Sequence, residues 1–232
     1  MSWIHKAGGK LALRQQESDL PSEFNLDNVS EERGSRVPPP VPIRNANTVT
    51  GKAIEWDKPT WPPIFHIVHI DLSELVPLVR ANPAFYRVLF WYAMALLVLN
   101  WVTWTVLAAR NATSNPWAQW VLSLLDIFLG FFLLAAGYFT TFRACAEDDS
   151  TYYTASYCVL GVIIAFCIVI SIVGYPFSFN GWVRLGWIGN NAKTLQTFWS
   201  TMTVIESNGW TIAYCFFIVL AIKLWRYQHL LG

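Results

Sequence analysis

The sequence predicts an all-α membrane protein: four transmembrane helices, a disordered cytosolic N-terminal tail before them, and a short interfacial amphipathic segment between tail and bundle. Three observations predict it. Tyr153 to Val173 is an apolar run without a single charge, and about 20 such residues match the hydrocarbon thickness of a bilayer. Trp117 to Tyr138 is equally apolar apart from Asp126. Hydrophobic residues make up 54% of the 232, charged residues only 13%, and the apolar excess falls after residue 84, far from the balance of a soluble domain.

Residues 1–60 read as a tail. Aliphatic residues are sparse, charges are mixed, and the run VPPPVP occupies 37–42, so the segment cannot bury enough apolar surface to offset its ordering entropy. The proline run serves as a spacer or as a ligand for an SH3 or WW domain. The sequon Asn28-Val-Ser30 has no meaning on a cytosolic tail. Nothing in MSWIHKAGGKLALRQQ has the apolar core of a cleavable signal.

The interfacial segment, 61–84, places His66, His69, Asp71 and Glu74 among apolar residues at intervals too short for a span, and Pro77 interrupts any single helix through it. Two His three residues apart share a helical face, which raises a metal site. No further ligand group is marked elsewhere, so no metal and no cofactor are expected.

The four spans are read as about 86–109, 117–138, 153–174 and 201–225. Arg87 and Arg110 bound the first, and a link of seven residues, RNATSNP, carrying the sequon Asn111-Ala-Thr113, turns the chain back. In the second span one Asp costs about +2.5 to +3.5 kcal/mol, against roughly −3 to −7 kcal/mol from eleven Leu, Ile, Phe and Val. Asp126 is therefore tolerated. The loop Thr140 to Thr151 holds Arg143, Cys145, Glu147, Asp148 and Asp149; together with Tyr138 these are its candidate contact residues, and Cys145 is a candidate for lipidation, with a reduced thiol as the plainer reading. Between spans three and four, FNGWVRLGWIGNN at 179–191 reads as an interfacial loop with tight turns and headgroup-level aromatics. KLWRYQHLLG closes the chain with snorkelling cations.

Arg80 and Arg87 before the first span, with Lys223 and Arg226 after the last, put both termini in the cytosol. Asp126 and Asn100 then lie at matching depth, roughly 13 Å from the outer ends of adjacent antiparallel helices. A protonated Asp126 bonded to Asn100 is the structural reading of this intramembrane polar pair. A proton or ion relay is the functional one, with Glu206, near the outer end of span four, as the other acid it could use. Small residues (Gly130, Gly137, Gly161, Ala135, Ala136) suit close helix contacts.

The order of these features resembles the secretory carrier membrane proteins. The resemblance is carried by PPIF at 62–65 with HIDLSELVP after it, GYFTTFRACAEDDSTYY at 137–153, NGWVRLGWI at 180–188, which is similar to the family's Trp-Gly-x-x-Gly-Trp-Ile outer loop (Gly181, Trp182, Gly186, Trp187), and IKLWRYQHLL at the end. It covers about residues 60 to 230. It implies a tetraspan component of post-Golgi and endosomal carriers and the plasma membrane, acting in vesicle-mediated protein transport, exocytosis and recycling through contacts with lipids and trafficking proteins. The chain departs from the family in an acidic loop between spans two and three, and in lacking Asn-Pro-Phe repeats; Asn82-Pro83-Ala84-Phe85 comes nearest.

No Gly-rich phosphate loop, HExxH or nucleophile and base pair points to an enzyme. A net charge of +1 offers no footing for nucleic acid. Alternatives from other classes are a structural subunit of a large membrane complex, a membrane enzyme, for which only His66, His69, Asp71 and Glu74 come near the clustered polar groups required, and a small transporter, for which Asp126 and Asn100 are too few polar groups; a homo-oligomer is among the partner forms open to the protein.

Overall fold

The computed structural model describes residues 54, 56–62, 68–75, 77–147, 149–174 and 178–231, with the side chains of 78, 230 and 231 left aside. The tail with its proline run and Asn28, most of the PPIF motif, His66 and Asp148 lie outside the described residues. The fold is all-helical: α1 (Pro77–Ala109), α2 (Pro116–Glu147), α3 (Ser150–Ile172), α4 (Trp182–Asn191) and α5 (Gln196–Leu231). Four of these, α1, α2, α3 and α5, are long and apolar enough to cross a membrane. They run antiparallel in the ring order α1, α2, α3, α5. The segment before α1, the α2–α3 turn and the C-terminus therefore share one end of the bundle, called the terminal end. The α1–α2 link and the chain between α3 and α5 form the loop end.

Local chemistry explains the helix limits. Proline opens both α1 and α2, where its missing N–H costs nothing. α1 closes with Ala112 N–H on the Leu107 carbonyl (2.9 Å) and Asn111 N–H on the Ala108 carbonyl (3.0 Å), a Schellman arrangement with Asn111 at φ 46°. Asp149 caps α3 by accepting from Thr151 N–H at 2.8 Å. The helices overrun the predicted spans. Thr140 to Glu147 was expected as loop and is helix, because a polar stretch beyond the hydrocarbon can continue an established helix and gains the Arg143–Glu147 pair, one turn apart at 2.8 Å. α2 consequently runs to Glu147, and α3 starts at Ser150. The outer segment also differs from the expected loop: Trp182–Asn191 is helical, with Arg184 and Ile188 buried one turn apart on its inner side.

The core is aromatic. Tyr86 of α1 stacks on Tyr138 of α2 (5.5 Å, 13°) and meets Phe217 of α5 edge-on (5.7 Å), and its hydroxyl donates to the Leu134 carbonyl at 3.0 Å. Gly137 makes that approach available, since a Cβ there would lie 2.1 Å from the Tyr86 hydroxyl. Trp61 enters the same cluster, edge-on to Phe90 (5.0 Å) and Tyr138 (5.2 Å). The interfacial segment thus inserts a side chain into the bundle. Before α1, which takes up residues 77–84 of it, the described part of the segment holds a Trp61–Val68 antiparallel bridge and a single 3₁₀ turn, Leu72–Glu74. Phe128, Leu129, Phe132 and Val162 are exposed on the outside, as lipid-facing residues are.

Candidate functional site

Two polar foci stand out from the apolar bundle, one at each end. At the loop end, residues 178–181 descend between the helices. Non-helical backbone at membrane depth is tolerated only where protein satisfies it, and here it is satisfied. The Ser178 carbonyl accepts from Trp104 Nε1 and from the Arg184 guanidinium at 3.4 Å. The Asn180 carbonyl accepts from Ser207 Oγ at 2.7 Å. Phe179 between them is fully buried, edge-on to Phe166 and Trp210 at 5.8 Å each.

Around this plug the intramembrane acids find their partners. Ser178 Oγ lies 2.5 Å from Asp126 Oδ2 and 3.1 Å from Asn100 Oδ1, its one hydroxyl hydrogen serving one of the two at a time. The expected direct Asp126–Asn100 bond is thus replaced by one bridging hydroxyl, because the plug sits between α1 and α2 at that depth. The Asn100 amide nitrogen, turned away from that hydroxyl, donates to Glu206 Oε2 at 3.1 Å and to the Ser178 carbonyl at 3.2 Å. Glu206 is fully buried, not marginal. Its Oε1 accepts from Thr103 Oγ1 (2.7 Å) and its Oε2 also from Asn180 Nδ2 (2.9 Å). Asn180 Oδ1 accepts in turn from Trp199 Nε1 (3.0 Å) and Arg184 (3.4 Å). Arg184, 7% exposed, lies against Trp104, Trp187 and Trp199 with its guanidinium 5.2–6.0 Å from their ring centroids.

The glycines of the outer motif separate in role. Gly174 adopts φ +68°, and its backbone meets that of Gly181 so closely that a Cβ on either would lie 2.3–2.5 Å from the other's backbone nitrogen. Gly186 has nothing within 4 Å. Trp182 and Trp187 are partly exposed at this end, as is Trp117, forming an aromatic belt at headgroup level.

At the terminal end, His69 is buried with both ring nitrogens against acceptors: Nδ1–H donates to the Lys58 carbonyl (2.6 Å) and Nε2–H to Glu74 Oε2 (2.8 Å). Two acceptors require two donors, so the ring is the imidazolium. Burial works against that charge, but the Glu74 and Lys58 hydrogen bonds and the negative charges of Glu74 and Asp71 outweigh it and raise the His69 pKa above 6.5. Asp71 is shifted the other way, its carboxyl held below 3.8 by the Ser73 hydroxyl and N–H. A raised histidine contributes stability that is complete below its unfolded value and is lost as pH rises through the folded one; the Asp71 contribution fades only in acid. The thermal midpoint of the purified protein should therefore fall between pH 6 and pH 8, and His69→Gln should flatten that fall; an unchanged slope in the variant would remove His69 as its source.

The candidate loop contacts are placed differently from expectation. Tyr138 is core. Arg143 pairs with Glu147 and lies between Trp56 (5.0 Å) and Tyr152 (4.2 Å). Asp149 is a helix cap. Cys145 is fully buried, so its thiol is closed to an acyltransferase in this conformation. Among the described residues no three His, Cys, Asp or Glu are disposed to hold a metal ion. Ser178, Asn180, Arg184 and Thr103 were not anticipated. The only sequence signals were a hydroxyl one turn after Asn100 and a lone arginine within the NGWVRLGWI motif.

The fold and its two foci define a four-span membrane protein with an inserted loop. A model of the SCAMP family matches residues 58–230, about three quarters of the chain. The chain belongs to the SCAMP family, a non-enzymatic family of membrane trafficking proteins. No curated protein and no solved structure matches it.

Proposed function

We propose that this protein resides in post-Golgi and endosomal carriers, reaching the plasma membrane, and acts in vesicle-mediated transport, recycling and exocytosis through contacts with lipids and other membrane or trafficking proteins, with both termini in the cytosol. The observation that carries this reading is the family match across all four spans, the plug and the interfacial segment. The even number of candidate spans supports termini on one side, and the cations flanking the bundle at Arg80, Arg87, Lys223 and Arg226 support the cytosolic side.

The test is a C-terminally tagged copy at native level, imaged against Golgi, endosomal and surface markers and then exposed to protease in intact vesicles. The expected result is a carrier pattern with the tag digested. A mitochondrial or plastid pattern, or a protected tag, would overturn the reading and favour a subunit of a large organellar complex.

A further inference from the structure

At the loop end a cavity of about 580 Å³ opens between the last turn of α1, the α1–α2 link, the start of α2, the end of α3 and the first turn of α4. That volume lies within the roughly 300–1,000 Å³ of small-molecule sites. Its wall is largely apolar, Trp104, Val173 and Val183 among its residues; Thr113, Ser114 and Asn115 of the α1–α2 link also line it, and beside them stand two polar groups of opposite character. One is Arg184, a buried cation whose Nη1 already donates to the Ser178 carbonyl and Asn180 Oδ1, and whose positive charge faces the cavity. The other is Gln119, whose Oε1 is shielded from solvent and has no hydrogen-bond donor. Such an acceptor costs about 1–3 kcal/mol unless something supplies the donor.

The electrostatics of the cavity favour an anion. No carboxylate lines it. It lies at the N-terminal ends of two helices, α2 and α4, whose free N–H groups add to the charge of Arg184. The mouth is framed by Val173, Val183 and Trp187, all exposed, at the level of the aromatic belt. A ligand here must therefore present an anion inward, a hydrogen-bond donor beside it and apolar chains toward the bilayer.

We propose that this cavity seats a glycerophospholipid from the leaflet at the loop end, its phosphate against Arg184 and a headgroup ammonium or hydroxyl donating to Gln119. The site stands independently of where in the cell the protein resides. Its chemistry sets a selectivity: ethanolamine and glycerol headgroups carry the required donor, and choline does not. A site built around a buried acceptor discriminates against a ligand that leaves it unpaired.

The experiment uses the full chain in detergent, titrated with short-chain phosphatidylethanolamine, phosphatidylglycerol, phosphatidylcholine and inorganic phosphate while the thermal midpoint is followed. Saturable stabilisation by the first two is expected, with phosphatidylcholine at least about tenfold weaker. Val183→Trp closes the mouth without touching the buried network and should abolish the lipid effect. Gln119→Leu removes that unpaired acceptor, so the unliganded midpoint should rise while the preference over choline disappears. Equal response to all three lipids in the wild type, or an undiminished response in both variants, overturns the site. Inorganic phosphate competing with the affinity of the lipids would show a free-anion site and overturn the lipid as its occupant.

Discussion

Asn180→Ala should be the most damaging single polar change in the bundle, with a loss of about 3–5 kcal/mol of stability. The side chain donates to Glu206 and accepts from Trp199 and Arg184, so its removal leaves a buried carboxylate, an indole N–H and a guanidinium each short of a partner. In lipid, water cannot replace them cheaply. Denaturant titration of the purified protein in mixed micelles measures the loss, with Asn208→Ala as control: that amide is exposed and bonds only the Val204 carbonyl of its own helix, so it should cost no more than about 0.5 kcal/mol. A variant at position 180 within about 1 kcal/mol of wild type would mean that the plug is not held by this network.

The second large effect separates two glycines of one motif. Gly181→Ala forces a Cβ to within 2.5 Å of Gly174 N and 2.6 Å of the Val173 carbonyl carbon, atoms that cannot swing aside because they are main chain. Gly174→Ala meets the same contact from the other side and adds a left-handed φ. Each should cost roughly 2–4 kcal/mol, strain and displaced backbone together. Gly186→Ala, five residues along in open space within α4, should instead stabilise by about 0.5–1 kcal/mol, the helix-propensity difference. Thermal midpoints of the three variants decide it. Equal behaviour at 181 and 186 would show that the motif serves propensity and not close approach.

The spans were legible because uninterrupted apolar length is a one-dimensional signal: Tyr153 to Val173 admits no other reading. Helix ends were not, since Arg143 and Glu147 favour helix through a pairing that matters only once the helix has already formed. Asn180 and Gly181 suggest a turn when read locally, and they do open one. The helix that follows depends on Arg184 and Ile188 finding burial against α1 and α5, which no local pattern encodes. Asp126 and Asn100 stand out as polar residues within apolar runs, but the group that joins them, Ser178, is 52 residues from the one and 78 from the other. A serine in a loop carries no periodicity to mark it. Glu206 looked peripheral because span four was started at Thr201, whereas α5 begins at Gln196.

The two-residue turn between α2 and α3 has a consequence for how the chain is made. When α2 leaves the ribosome, Asp126 has no partner, because Ser178 has yet to be synthesised. With only positions 148–149 to separate them, α2 and the uncharged α3 cannot move far apart, so joint insertion as one hairpin is the expected route, the apolar α3 adding to the margin by which α2 tolerates its acid. The plug follows directly behind α3. Asp126 is thus unpartnered for only some thirty further residues of translation, a few seconds at roughly 5–20 residues per second, before its hydroxyl partner emerges.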